Sequence, residues 1–336
     1  MTPLSDSVVA RLRADMQTPD LHGTRYAIVR YLARGGMGSV WLAEDTVLQR
    51  RVALKVLDLV APADDLPARL LQEARILATL EHPGIVPVHD AGTLADGRAF
   101  YCMKYVEGQT LAEHTTGLRL SDRLRLLERI AEPLDFAHAR GFVHRDLKPE
   151  NIMIGAFGEV LVMDWGLAKL ALTKAGLEGL QSAPNKITSA PTPTPNPSHA
   201  TAQGSLLGTP GYISPEQASG AASLDYRTDI FSLGAILQFM LNEPAPGDSS
   251  AASARIPSPL RAICQKAMAV DPVARYQSAG ALAADVASYL NGSPVSAYHE
   301  NLLEHAARLY ARHRTAVVLV AAYLLMRVLF ILFARR

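Results

Sequence analysis

The chain has 336 residues, 49% of them hydrophobic, which is enough for a sizeable core and leaves room for one large or two ordinary domains. Charge is nearly balanced, 33 Lys and Arg against 32 Asp and Glu, so no global basic field exists to hold nucleic acid, and no nucleic-acid partner is expected. The two cysteines, Cys102 and Cys264, lie far apart and form no CxxC pair, which argues against a disulfide framework or a structural zinc site and suits a reducing cytosol.

Residues 1–24 mix acidic, basic and polar types without an apolar core segment, so they read as an N-terminal extension and not as a secretory signal. Short runs rich in Val, Tyr, Leu and Ala at 26–32, 39–43 and 51–57, separated by a Gly cluster and a charged turn, predict a three-stranded antiparallel meander. Leu70, Leu71, Ala74, Leu77 and Ala78 then recur at helical spacing, predicting a helix over 66–80 that His82-Pro83-Gly84 breaks. Two further strands follow at 86–90 and 99–105. After Gly108 the pattern becomes mainly helical, notably at 121–139, 229–241, 259–270 and 278–290, and Asn291-Gly292 closes the domain. A small β-rich lobe therefore precedes a larger helical one, an α+β architecture.

Two stretches interrupt this plan. Between about 170 and 205 the composition shifts to Ser, Thr, Ala and Pro, which buries too little apolar area to offset its ordering entropy. Residues 316–334 are apolar or aromatic except for Arg327, and as a helix they would measure roughly 28 Å, close to the ~30 Å hydrocarbon thickness of a bilayer. Twelve Val, Leu, Ile and Phe residues outweigh the one central Arg, so insertion comes out favourable by about 1–2 kcal/mol. We expect a single transmembrane helix at 316–334, a juxtamembrane helical linker at 293–315 whose Arg308, Arg312 and Arg314 face the cytoplasm, and a catalytic part on that same side of the cell membrane.

The chemistry-bearing residues fall in an order that suits phosphoryl transfer, which needs phosphates held, metal charge supplied and a carboxylate to orient the attacking hydroxyl. Ala33-Arg34-Gly35-Gly36-Met37-Gly38-Ser39-Val40 lies between the first two strands, where glycines let backbone N–H groups approach phosphates. Lys55 sits in the middle of the apolar strand 52–56, a placement that is costly without an anionic partner, and Glu73 on the next helix is the natural one. The sharpest signal is His144-Arg145-Asp146-Leu147-Lys148-Pro149-Glu150-Asn151, followed by an apolar run and Asp164-Trp165-Gly166. Two acids and an Asn at this spacing, joined by a hairpin, can point at one metal–phosphate centre. His82, His89 and His138 lack any HExxH or Cys pairing and read as packing residues, not metal ligands.

Over residues 25–290 this set resembles the bacterial, eukaryotic-like family of protein serine/threonine kinases. The resemblance implies a two-lobed kinase fold over 25–292, with an N-lobe at 25–105 and a C-lobe at 106–292. It implies ATP and Mg²⁺ as cofactors and protein Ser/Thr hydroxyls as substrates, the chain itself included. By the same resemblance Ala33, Gly35, Gly36, Gly38, Val40, Ala53, Lys55, Glu73, Met103 and Tyr105 form the ATP-binding set. Within that set Met103 stands at the gatekeeper position, ahead of a hinge of Lys104, Tyr105 and Val106. Asp146 is implied as the base, Lys148 as the γ-phosphate ligand, and Asn151 and Asp164 as the metal ligands. Lys148 and the run Gly208-Thr209-Pro210-Gly211-Tyr212 are similar to the serine/threonine branch, Glu216 is expected to pair with Arg275, and Asp229 to anchor the catalytic loop.

The chain departs from the family pattern in several places. Ala33 replaces the first loop glycine, Trp165 replaces a Phe, and only a short Gly/Ser/Ala/Pro stretch separates the helix ending near 241 from the one starting near 259. The insert at 170–205 adds Thr188, Ser189, Thr192, Thr194, Ser198, Thr201 and Ser205 as candidate phosphorylation sites, whose phosphate would pair with Arg145. A nucleotide-binding pseudokinase scaffold is the alternative function. A homodimer is left open.

Overall fold

The structure, a computed structural model, describes residues 18–35, 38–57, 66–165, 211–221, 224–242, 256–301, 305, 318–320, 322–327 and 330. Strands β1 (Tyr26–Gly35), β2 (Gly38–Asp45) and β3 (Arg50–Leu57) form the predicted antiparallel meander. Strands β4 (Val88–Thr93) and β5 (Ala99–Lys104) extend it to a five-stranded sheet of order β1-β2-β3-β5-β4. The period-2 alternation of the strands sorts their side chains between two cores. Val52, Leu54 and Val56 join Phe100 and Cys102 on the outer face, while Ala53, Leu57, Tyr101 and Met103 face the main core. Lys55 shares the parity of Ala53 and Leu57, which is why a charged side chain lies only 7% exposed.

Helix α1 (Leu66–Thr79) packs Leu70, Ala74 and Leu77 on that inner face. The fourth strand begins two residues later than its apolar pattern suggests, because residues 84–86 hydrogen-bond elsewhere. The Val86 amide donates to the Val162 carbonyl, and the Val162 amide donates to the Gly84 carbonyl. That bridge couples the two lobes.

In the helical lobe a three-stranded sheet joins β6 (Gly108–Thr110), β7 (Ile152–Gly155) and β8 (Val160–Val162). Between β6 and β7 the chain forms the short α2 (Leu111–His114) and the long α3 (Leu120–Ala139). Buried Leu124, Leu127, Ile130, Ala131 and Leu134 recur at three and four residues along α3, the stripe of a core-facing helix. After α4 (Pro215–Ala218) comes α5 (Arg227–Asn242), buried on nearly every side at the lobe's centre, then α6 (Ser258–Ala267) and α7 (Ala279–Leu290). A Cβ at Gly234 would stand 2.6 Å from the Ala267 Cβ, so glycine is what lets α5 and α6 approach this closely.

The chain remains on the lobe beyond Gly292. Val295 is 5% exposed, and Asp285 accepts from the Ser296 amide and hydroxyl and from the Ala297 amide. The insert at 170–205, residues 1–17 and most of the linker lie outside the described residues. Residues 318–320, 322–327 and 330 are helical and expose Leu319, Leu325, Met326 and Phe330. Among the described residues no helix is long and apolar enough to cross a membrane.

Candidate active site

The glycine-rich segment closes the β1–β2 hairpin, with Gly35 paired to Gly38; Gly36 lies outside the described residues. A Cβ on Gly38 would fall 2.1 Å from the Val56 carbonyl oxygen, so the hairpin admits no side chain there. Ala33 is the register partner of Val40, and Val40 that of Lys55 across β3. Ala53 is in turn paired with Met103 on β5, and half-buried Tyr105 follows the strand. The predicted adenine and phosphate residues thus occupy adjoining positions on neighbouring strands.

The Lys55 ammonium bridges two acids, donating to Glu73 Oε1 at 2.9 Å and to Asp164 Oδ1 at 2.7 Å. Burial alone would lower the Lys55 pKa, but Tyr101, Asp164 and Glu73 hold it well above its ordinary value. Burial likewise pushes the Asp164 carboxyl upward, and the Lys55 charge and hydrogen bond more than offset it, leaving it below the usual range. Both groups are ionised at neutral pH.

The catalytic loop converges on the same place. Asp146 Oδ2 lies 3.2 Å from Lys148 Nζ and accepts from Asn151 Nδ2 at 3.2 Å, while Asn151 also donates to the Asp146 carbonyl at 2.7 Å. The Met163 amide donates to the Asn151 carbonyl, and His144 Nε2 meets the Met163 carbonyl at 2.8 Å. Because His144 Nδ1 accepts from the Asp146 amide at 3.3 Å, the ring proton belongs on Nε2. His144 also stands against the ring of Trp165 at 4.8 Å, and Trp165 is fully buried with its indole N–H on the Val162 carbonyl at 3.3 Å. The larger aromatic is therefore accommodated beneath the loop.

Arg145 (φ 68°) and Asp164 (φ 57°) both adopt left-handed backbone, uncommon for residues with a Cβ and concentrated at functional sites. The Arg145 conformation is held by Asp229, which accepts from the His144 amide at 2.7 Å and the Arg145 amide at 2.8 Å. His138 contributes Nε2 to the same carboxylate at 2.8 Å. Burial raises the Asp229 carboxyl, but the bond and charge of His138, with His144 and the Arg145 amide, bring it below its ordinary value.

The remaining predicted residues separate. His138 supports the site by gripping Asp229, whereas His82 stacks on Phe136 at 4.8 Å, away from the catalytic loop. Thr209 and the insert's Ser and Thr residues lie outside the described residues. Sequence reasoning missed Gln217, whose side chain donates to the Arg145 carbonyl at 2.7 Å, and Tyr101, whose hydroxyl donates to Glu73. Neither carries a local sequence signal, because each meets its partner only through the fold.

The predicted Glu216–Arg275 pair is present as a two-pronged contact, both N–O distances 2.7 Å, with the Arg275 side chain fully buried. Burial opposes the Glu216 charge, but Arg275 and Thr228 lower its carboxyl from 4.5 to about 2. A carboxyl depressed on folding stabilises the native state above its unfolded pKa and loses that contribution as pH falls. Acid titration followed by circular dichroism is therefore expected to show stability dropping between pH 4.5 and about 2, and Glu216→Gln to flatten that part of the curve.

A bilobal fold with this constellation defines the class of a protein kinase. The protein kinase domain family profile matches residues 26–283, and the chain belongs to that family. It is 36% identical over 304 residues to the serine/threonine-protein kinase PknD of Chlamydia abortus, covering 80% of this chain and 31% of that protein. To PknD of Protochlamydia amoebophila it is 33% identical, with 80% and 30% covered. The chain thus spans about a third of the length of these relatives. Among solved structures it is similar to the PknI kinase domain of M. tuberculosis, at 26% identity and TM-score 0.55, covering 80% of this chain and 96% of that one.

Proposed function

We propose that the chain transfers the γ-phosphoryl group of ATP to serine and threonine hydroxyls of proteins, itself included. The observation that carries this reading is the Lys55 ammonium held between Glu73 and Asp164, alongside an Asp146 carboxylate tied to Lys148 and Asn151. In this role Lys55 contacts the α- and β-phosphates, and Val40, Ala53, Met103 and Tyr105 enclose the adenine. Asp146 accepts the proton of the substrate hydroxyl as its oxygen bonds to the γ-phosphorus and the bond to the β,γ-bridging oxygen breaks. Lys148 steadies the transferring group.

Asp164 and Asn151 fit Mg²⁺. Asp164 Oδ1 is engaged by Lys55, its side chain is 46% exposed, and Asn151 is bonded through its NH₂, which leaves the amide oxygen as a hard donor. Two protein oxygens, completed by phosphate and water, match the way Mg²⁺ is usually held, and among the described residues no group of three acidic, His or Cys side chains forms a closed cage. When bound, Mg²⁺ would neutralise the charge on the phosphates.

Arg145 Nε is buried with no hydrogen-bond partner among the described residues, and burial lowers the guanidinium pKa against the opposing effect of Asp229. This supports a phosphate in the segment between Asp164 and Glu216 as the counterion that orders the loop. The test of both readings is transfer from γ-labelled ATP by the full chain in detergent, with phosphoamino-acid analysis and phosphosite mapping. Label on Ser or Thr within 166–210 is expected; label on tyrosine alone, or none, would overturn the proposal, and label confined elsewhere would remove the role given to Arg145.

Residues 316–334 we assign as the membrane anchor of a cytoplasmic kinase domain spanning 25–292, supported by the exposed apolar side chains of residues 318–320, 323–326 and 330. Deleting 316–336 is expected to move the protein from the sedimenting membrane fraction to the supernatant in a carbonate-wash fractionation. An unchanged distribution would refute the anchor.

A further inference from the structure

We propose that Tyr101 is a positioning residue for phosphoryl transfer, its phenol O–H holding Glu73, and through Glu73 the Lys55 ammonium, where Lys55 meets the phosphates. The inference rests on the phosphate role given to Lys55 above. Tyr101 is the direct register partner of Lys55 across β3 and β5, so both side chains leave the sheet on the same face. Its hydroxyl donates to Glu73 Oε1 at 2.7 Å, the same oxygen that receives the Lys55 ammonium at 2.9 Å. The ammonium stands 5.6 Å from the centre of the Tyr101 ring. Glu73 Oε2 has no hydrogen-bond partner among the described residues, so both donors converge on one oxygen and fix the rotation of the carboxylate.

All three groups are out of water: Tyr101 is 0%, Glu73 2% and Lys55 7% exposed. Burial raises the phenol pKa well above its ordinary value, so the hydroxyl keeps its proton and remains a donor. If α1 carried Glu73 away, the phenol would lose its partner in a place where water cannot replace it, and a buried unpaired hydroxyl is disfavoured. The hydroxyl therefore biases α1 toward the arrangement in which Lys55 and Glu73 are paired. A phenylalanine would fill the same space without that bias. Met103, two residues on, leaves the sheet on the same face and joins the same core.

The test is a double-mutant cycle of Tyr101→Phe and Glu73→Leu, which leaves the phenol no acceptor oxygen, in the full chain, read as kcat and KM for ATP. Tyr101→Phe is expected to lower kcat/KM for ATP on the order of tenfold, with KM rising and the melting temperature little changed. In the Glu73→Leu background the same change is expected to have less than about a twofold effect, because the coupling is already lost. An equal loss in both backgrounds, as a packing role would give, or no loss in either, overturns the proposal. Amide hydrogen exchange over residues 66–79 is read on the same four proteins, where Tyr101→Phe is expected to speed exchange only when Glu73 is present. That readout needs no catalysis. A wild-type chain that shows the exchange pattern but transfers no phosphate would overturn the proposed activity and leave the Tyr101–Glu73 link standing.

Discussion

Replacing Asp146 by Asn is expected to slow phosphoryl transfer by about 10²–10⁴-fold while the protein stays folded and still binds nucleotide. The amide keeps the size and one acceptor oxygen of the carboxylate, so Asn151, 3.2 Å away, retains a partner. What disappears is the charge proposed to accept the hydroxyl proton, which also faces Lys148 Nζ at 3.2 Å. Both side chains are partly exposed, 24% and 21%, so losing this pair costs at most about 1 kcal/mol of stability. Lys55, proposed above to hold the phosphates, lies on the other lobe, and its ion pairs are with Glu73 and Asp164 and not with Asp146. Calorimetric binding of Mg·ADP to the wild type and variant is expected to agree within a factor of a few, with the thermal midpoint preserved. Equal phosphate transfer by both proteins would remove Asp146 from the mechanism. Equal absence of transfer, with binding intact in both, would point to the nucleotide-binding scaffold that Ala33 and Trp165 raise.

Much of this site is legible in the sequence because its parts are local. Asp146, Lys148 and Asn151 lie within six residues, and the apolar run before Asp164 signals the β7–β8 hairpin that returns it to them. Lys55 and Glu73 are legible for an energetic reason, since an ammonium on a strand buried on both faces requires an anion and the next helix offers one. Long-range hydrogen bonding is what the sequence conceals. His138 reads as packing because its partner Asp229 lies 91 residues away, and Tyr101 reads as an ordinary strand aromatic because its hydroxyl's partner sits 28 residues back on a helix. The strand β6 carries no signal of its own: three residues after the hinge become a strand only because β7, some 45 residues on, is there to pair with them. The fourth strand is displaced for the matching reason, its first apolar residues being taken by Val162.

The largest stability effect is expected at Asp229. Its carboxylate is fully buried and satisfies three donors at once, the amides of His144 and Arg145 and the ring of His138. Asp229→Ala leaves two backbone N–H groups and an imidazole without their acceptor in a place closed to water. At about 1–3 kcal/mol for each stranded donor, with partial relaxation, the loss comes to about 3–5 kcal/mol. Domains of this kind have about 5–15 kcal/mol in total, so urea midpoints should fall steeply and the thermal midpoint by roughly 10 °C or more. Activity should fall further than stability explains, because the Arg145 backbone at φ 68° is a conformation the chain does not choose unaided, and Asp146 takes its direction from it. Asp229→Asn separates the two effects. One carboxamide oxygen can still accept an amide while the NH₂ is turned toward a donor, so stability should lie between the wild type and the alanine variant, with transfer closer to the alanine variant. Amide exchange at residues 144–146 reads the loop directly. Protection that survives Asp229→Ala would show that the left-handed turn is held by something other than this carboxylate, such as the Gln217 bond to the Arg145 carbonyl.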